Sequence, residues 1–208
     1  MSRLPAVGKV TNKSSESHMP TPYWNITSLC WMVFWMYWSF GAPRRRPSKR
    51  KVARTFTVLN TGLLYLGFLL VLLARSVPGS LGLLVVPQTT PIDVTGTGLT
   101  ILGVALAIWS RQSLRNNWSG EVAITEGQQF MRSGPYAVVR HPIYAGMLLA
   151  LLGTTLVSST AGSLLGFVLA TVSLWQKASI EEQFLLVEFA EQYARYQREV
   201  KFLVPFIY

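Results

Sequence analysis

The sequence predicts an all-α, polytopic membrane protein with about five transmembrane helices and a C-terminal amphipathic helix in the cytoplasm. Half of its 208 residues are hydrophobic and only 13% are charged, against about a quarter in an ordinary soluble domain. The apolar residues gather into long runs free of Asp, Glu, Lys and Arg, the pattern that crosses a hydrocarbon core about 30 Å thick. Between the runs lie short stretches rich in Pro, Gly or basic residues.

Residues 1–19 are polar and lack the apolar core of a signal peptide, so they read as a flexible tail. The next segment, 20–110, holds three spans. No charge occurs from Met19 to Pro43, where Trp24, Trp31, Trp35, Tyr37 and Trp38 supply aromatic anchors for the interfaces. The second run, Thr55 to Ala74, lies between Arg54 and Arg75, and the third, Val94 to Ser110, between Asp93 and Arg111. Pro78, Gly79, Gly82, Pro87 and Pro91 mark the connection between these two as a turn-rich loop.

From Pro142 to Gln176 no charge interrupts the chain. One helix of that length would reach about 52 Å, too far for a single span. The turn formers Ser158-Ser159-Thr160-Ala161-Gly162-Ser163 divide it into a helical hairpin, 142–179. Small residues recur at Gly162, Gly166 and Ala170 and at Gly146 and Ala150, which predicts that the two hairpin helices pack closely on each other.

The net charge of +10 does not indicate nucleic acid, because the cations are placed as membrane topology requires. Arg44, Arg45, Arg46, Lys49, Arg50, Lys51 and Arg54 crowd the loop 44–54 between two spans. The positive-inside rule puts that loop, the segment 111–141 and the C-terminus in the cytoplasm, and the N-terminus outside. Lys9 and Lys13 run against this orientation; the other cations agree with it. The lone Cys30 lies within an apolar run, and His18 and His141 are the two histidines. Neither a disulfide framework nor a metal site is expected.

Chemistry concentrates in residues 111–208. Gly134-Pro135-Tyr136 is followed by Arg140-His141-Pro142-Ile143-Tyr144-Ala145-Gly146. Pro142 suits the first turn of a helix, where backbone N–H groups lack intrahelical acceptors and favour an anion. Arg140 and His141 stand beside that start. A second cluster begins at Glu181-Glu182. From Glu182 a stripe runs through Leu186, Phe189, Tyr193, Tyr196 and Val200 at helical spacing, with Glu181 off it. Adjacent carboxylates beside apolar surface call for a cation. One cluster thus suits an anion and the other a cation, and aromatic rings border both. S-adenosylmethionine, with its carboxylate, ammonium and sulfonium, fits both. On each cluster the plainer alternative is a solvated or headgroup-facing charge.

The combined pattern resembles the isoprenylcysteine carboxyl methyltransferase family, within a wider membrane superfamily that includes the phospholipid N-methyltransferases. Asn117-Trp118-Ser119 is similar to a feature of the short prokaryotic members, which implies a prokaryotic cytoplasmic membrane. The match covers roughly Arg111 to Pro205. It implies methyl transfer from S-adenosylmethionine to a lipophilic acceptor, in the first place a prenylcysteine-type carboxylate. It also implies a cofactor pocket of Tyr136, His141, Pro142, Tyr144, Gly146, Glu181, Glu182, Tyr193 and Tyr196. Arg140, His141, Glu182 and Arg195 are the catalytic candidates, and the helical stripe favours Glu182 over Glu181 for the inward role. Phospholipid amines and small thiols are the alternative acceptors. A membrane reductase using NADPH is disfavoured by Pro142 and Met147 and by the wrong spacing of Gly96, Gly98 and Gly103 for a dinucleotide loop. A non-enzymatic membrane scaffold would leave the charged clusters without a purpose.

Overall fold

A computed structural model describes residues 22–40, 48–76, 79–114, 123–125 and 130–204. The tail 1–19, the Arg44–Arg46 part of the basic loop and Asn117-Trp118-Ser119 lie outside the described residues. Among the described residues there are five α-helices: α1 (Pro22–Phe40), α2 (Arg54–Leu73), α3 (Thr90–Leu114), α4 (Pro142–Ser158) and α5 (Ala161–Glu199). Among the same residues three stretches are long and apolar enough to cross a membrane: Arg54–Ser76, Thr90–Leu114 and Ala161–Glu199. Helix α4 is a shorter apolar helix. The chain is an integral membrane protein, as its composition predicts.

Two short strands were not foreseen. β1 (Ser48–Lys51) pairs antiparallel with β2 (Ala123–Thr125), with Arg50 opposite Ile124. A strand pair needs both segments in one compartment, so the basic loop and the 111–141 segment share a side of the bilayer, as charge placement requires.

The hairpin turn falls where its small polar residues predict. Ser159, with φ 58°, ends α4 in the left-handed region. Thr160 then opens α5 with a capping box: its Oγ1 accepts from the Ser163 N–H, and its own N–H donates to Ser163 Oγ.

The small-residue faces do not pack on each other. A side chain at Gly146 would meet the Ala107 amide and the Gly103 carbonyl of α3, both at 2.7 Å, and one at Gly67 would meet the Gly166 carbonyl of α5 at 2.7 Å. Helix α4 therefore lies backbone to backbone on α3, and α5 on α2. Each stripe needs a partner that is equally bare, and Gly96, Gly103 and Gly67 supply it across the bundle. In the middle of the bundle Trp31 donates to Thr154 Oγ1 at 2.9 Å, which ties α1 to α4.

The C-terminal amphipathic helix is not separate from the last span. Helix α5 continues to Glu199, broken at Ala190, where φ is 40° and ψ −118°. Without that break residues 182 and 197 would stand about 22 Å apart on one axis. With it, Gln197 Nε2 donates to Glu182 Oε2 at 2.7 Å. The chain folds back on itself here, and the return builds the site.

Candidate functional site

The two charged clusters predicted from the sequence meet. His141 precedes α4, with φ −122° and ψ 61°, outside the helical region, before Pro142. Its N–H donates to the Phe202 carbonyl at 3.2 Å and that of Arg140 to the Lys201 carbonyl at 2.8 Å, so the returning chain fixes the backbone of both residues. Arg140 Nε then donates to Glu182 Oε1 at 2.5 Å, and its Nη2 to Oε2 at 3.3 Å. Arg140 Nη1 donates to the carbonyls of Gln197 at 3.1 Å and Val200 at 2.6 Å.

His141 lies between the two carboxylates, with Nε2 3.3 Å from Glu182 Oε1 and Nδ1 3.6 Å from Glu181 Oε2. Burial pulls its pKa down, but its hydrogen bonding to the two carboxylates and their negative charge outweigh that and raise it. Its ring stacks parallel to Tyr144, centroids 5.7 Å apart, and meets the Phe202 ring edge-on at 5.1 Å. The Tyr144 hydroxyl donates to Glu181, and Lys177 Nζ lies 5.6 Å from the Tyr144 ring centre.

The two glutamates differ in what remains open to a ligand. Glu182 receives Arg140 twice, His141 and Gln197, which takes up about four acceptor positions, a carboxylate's full complement. Glu181 receives Tyr144 and lies against His141, and its side chain is 24% exposed against 13% for Glu182. The helical stripe favours Glu182 for the inward role; its side chain is the less exposed of the two, and its acceptor positions are taken up within the protein. The acceptor capacity belongs to Glu181. For the same reason Arg140 is bound to Glu182 and to two carbonyls, so the anion-favouring donors left at this end are the first-turn N–H groups of α4.

The remaining candidates divide into two groups. Tyr193 and Tyr196 are 1% and 2% exposed and pack edge-on against Phe130, with centroids 5.7 and 5.1 Å from it. The Tyr196 hydroxyl donates to the Tyr136 carbonyl at 2.6 Å. Tyr136 is itself buried, and burial pushes its hydroxyl well above the usual range. These tyrosines hold the returning segment under the site. Pro142 is buried in the first turn of α4, Gly146 faces α3, and Arg195 is exposed on the outer side of the return. Gln197, Lys177, Phe202 and the Val200 carbonyl belong to the cluster but carry no local signal in the sequence. Gln197 is off the aromatic stripe, and a contribution from backbone carbonyls leaves no trace in residue type.

Fold and site together define a helical membrane protein with a charged, aromatic-walled cluster at the ends of its last two helices. Residues 92–192 match the family model described as phospholipid methyltransferase. Over that segment the chain is similar to membrane methyltransferases of the isoprenylcysteine and methanethiol kinds. A methanethiol S-methyltransferase from a Pseudomonas species is 40% identical over 82 residues, covering 39% of this chain and 31% of the relative. A protein-S-isoprenylcysteine O-methyltransferase from Xenopus laevis is 28% identical over 123 residues, 58% of this chain and 43% of the relative. Among solved structures, a eukaryotic intramembrane Ras methyltransferase, isoprenylcysteine carboxyl methyltransferase, aligns with a TM-score of 0.48 and 20% identity, over 92% of this chain and 54% of that one. The chain spans less than half the length of the two curated relatives.

Proposed function

We propose that the protein transfers a methyl group from S-adenosylmethionine to a lipophilic acceptor, in the first place a prenylcysteine-type carboxylate. One observation carries this reading. Within the segment similar to the methyltransferase family model, Glu181 keeps acceptor capacity beside the Tyr144 hydroxyl and His141, and His141 leads directly into the α4 start, whose first-turn N–H groups have no intrahelical acceptor. An amino-acid moiety needs both polarities, and these residues are suited to supply them.

The donor fits these residues. Glu181 would hold its ammonium, the first-turn amides at Ile143 and Tyr144 its carboxylate, and the faces of Tyr144 and Phe202 its cationic or adenine portions. The bound donor supplies an electrophilic methyl group on a sulfonium. The chain itself aligns and excludes water. Glu182, tied by Arg140 and Gln197, fixes the return segment; His141 orients Glu181; Phe202 and Trp175, 4.9 Å apart at their ring centres, wall the site. A carboxylate acceptor is already a nucleophile, so no base is required of the protein.

A small thiol is the second reading, favoured by the 40% identity to a methanethiol methyltransferase. In either case the donor would enter from the cytosol, the side to which the positive-inside rule assigns the loop 44–54 and residues 111–141, and the acceptor from the bilayer. The test is transfer of radiolabelled methyl from S-adenosylmethionine by the purified chain to a prenylcysteine, a phosphatidylethanolamine and an alkanethiol. Label in the prenylcysteine ester supports the first reading and label in the thioether the second. No label in any acceptor, together with no donor binding, overturns both.

A further inference from the structure

Between Arg75 and Asp93 the chain carries no charge, and its middle reads Leu81-Gly82-Leu83-Leu84-Val85-Val86-Pro87. Leu83, Leu84 and Val85 are each half exposed or more. Loops that stand in water are polar, and a run of exposed apolar residues on one marks a surface with a partner.

The loop is not free to bury this run. The N–H groups of Val85 and Val86 both donate to the Ser159 carbonyl, at 2.8 and 3.4 Å, and the Ala161 N–H donates to the Leu83 carbonyl at 2.8 Å. Those of Gly82 and Leu83 donate within the loop, to the carbonyls of Gly79 at 3.1 Å and Ser80 at 3.3 Å. A side chain at Gly162 would meet the Leu81 carbonyl at 2.9 Å, so the loop lies directly on the first turn of α5. It is stapled across the α4–α5 turn, at the end of the bundle opposite the charged cluster. A loop in water can leave its amides to solvent; here they are satisfied by the protein, as water-poor surroundings require.

Charged and aromatic residues mark the level. Gly162 packs against Ala74 as well, and the next residue, Arg75, has its guanidinium carbon 5.9 Å from the centre of the Trp24 ring. On the other side of the bundle Gly96 lies on Gly153. Asp93 stands about 4.5 Å beyond that contact and Ser158 about 7.5 Å, so the turn lies within about 3 Å of Asp93 along the axis. From Asp93 to Arg111 α3 rises about 27 Å, close to the thickness of a hydrocarbon core. The loop therefore sits where acyl chains give way to headgroups, the depth that Trp side chains favour. Leu73 of α2 and Leu164 and Leu165 of α5, within a turn of the Ala74–Gly162 contact, are about half exposed too, so lipid-facing surface adjoins the loop.

We propose that Leu83, Leu84 and Val85 form a rigid lipid-docking surface, held in the headgroup–acyl boundary of the leaflet opposite the charged cluster. The partner is the phospholipid itself, its glycerol region and the first segments of its chains. Docked there, the loop closes the far end of the α4–α5 hairpin and fixes its depth, whatever reaction the cluster at the other end performs.

Depth-dependent quenching tests this. Cys30→Ala removes the native thiol, and Leu84→Cys is labelled with bimane in the full chain, in phosphatidylcholine nanodiscs. Glu191→Cys, exposed on the return, and Leu66→Cys, exposed midway along α2, supply the water and mid-membrane references. The Leu84 label is expected to be quenched by iodide at least about threefold less than the Glu191 label. It should also be quenched more by a lipid with its nitroxide near the headgroup than by one with it near the chain end, and the Leu66 label should show the reverse order. Iodide quenching equal to that at Glu191 puts the loop in water and overturns the proposal, as does stronger quenching by the deep nitroxide. Resistance to both iodide and the shallow nitroxide means that protein, a second copy or another chain, covers the face, and overturns it too. If Leu84→Cys fails to fold, Leu83→Cys carries the same expectations.

Discussion

Replacing Glu182 with Gln separates a strut from a ligand. The side chains of Glu182 and Arg140 are each 13% exposed, and Arg140 reaches Glu182 through two bonds, at 2.5 and 3.3 Å. A hydrogen bond to a charged group contributes about 1.5–3 kcal/mol and a neutral one about 0.5–1.5. Glutamine keeps the shape and one acceptor oxygen but removes the charge, and its NH₂ faces a donor. Losing the charge term on both Arg140 bonds costs about 2–3 kcal/mol in total. For a chain of this size each kcal/mol moves Tm by about 2–4 °C, so Glu182→Gln is expected to melt roughly 4–12 °C below the wild type. Thermal unfolding in nanodiscs, followed by tryptophan fluorescence, reads the shift. Arg140→Met combined with Glu182→Leu should recover part of it, because an apolar pair leaves no buried charge unpaired. A Glu182→Gln protein that melts with the wild type but fails to bind S-adenosylmethionine would refute the division of labour between the two glutamates.

Glu181→Gln is expected to do the reverse, weakening S-adenosylmethionine about tenfold or more by calorimetry while leaving Tm nearly unchanged. His141 gives a pH signature: its pKa is raised above the usual 6.5, so its stabilisation is complete below about pH 6.5 and is lost as pH climbs through the higher folded value. In His141→Gln the fall of Tm over that alkaline range should flatten, and an unchanged slope would remove the imidazolium from the cluster. Gly103→Ala should cost about 1–3 kcal/mol, since its Cβ would lie 2.5 Å from the Gly146 carbonyl. Gly98→Ala, with nothing within 4 Å, should be neutral or mildly stabilising; matching melts for the two would contradict the backbone contact. Ala190→Gly relieves a φ of 40° and should raise Tm by a few degrees; a lower Tm would show that the break is not strained.

The spans and the turn were legible because each is written locally: uninterrupted apolar runs for α2 and α3, and Ser158 to Ser163 for the hairpin. The partners of the small faces were not. Gly146 and Gly166 announce that something approaches closely, but a bare face has no complement by which to name its neighbour, and the nearest element in sequence was the wrong choice. The charged residues of the site were legible as types, since Arg140, His141, Tyr144, Glu181 and Glu182 do converge. Their division of labour was not, because saturation of Glu182 depends on Gln197 and on main-chain oxygens that arrive only through the break at Ala190. That break lies at an alanine, a residue that gives no warning of it.

The return at Ala190 also sets the order in which the protein can mature. The α4 start leaves the ribosome about sixty residues before Phe202, yet Arg140 and His141 take their final backbone partners from Lys201 and Phe202. Insertion of the spans and completion of the site are therefore separate events. A nascent chain that has threaded its spans still carries Arg140, His141 and Glu182 without the partners that the return supplies. Stalled synthesis or cleavage anywhere between 190 and 202 would leave a protein correctly embedded and chemically empty.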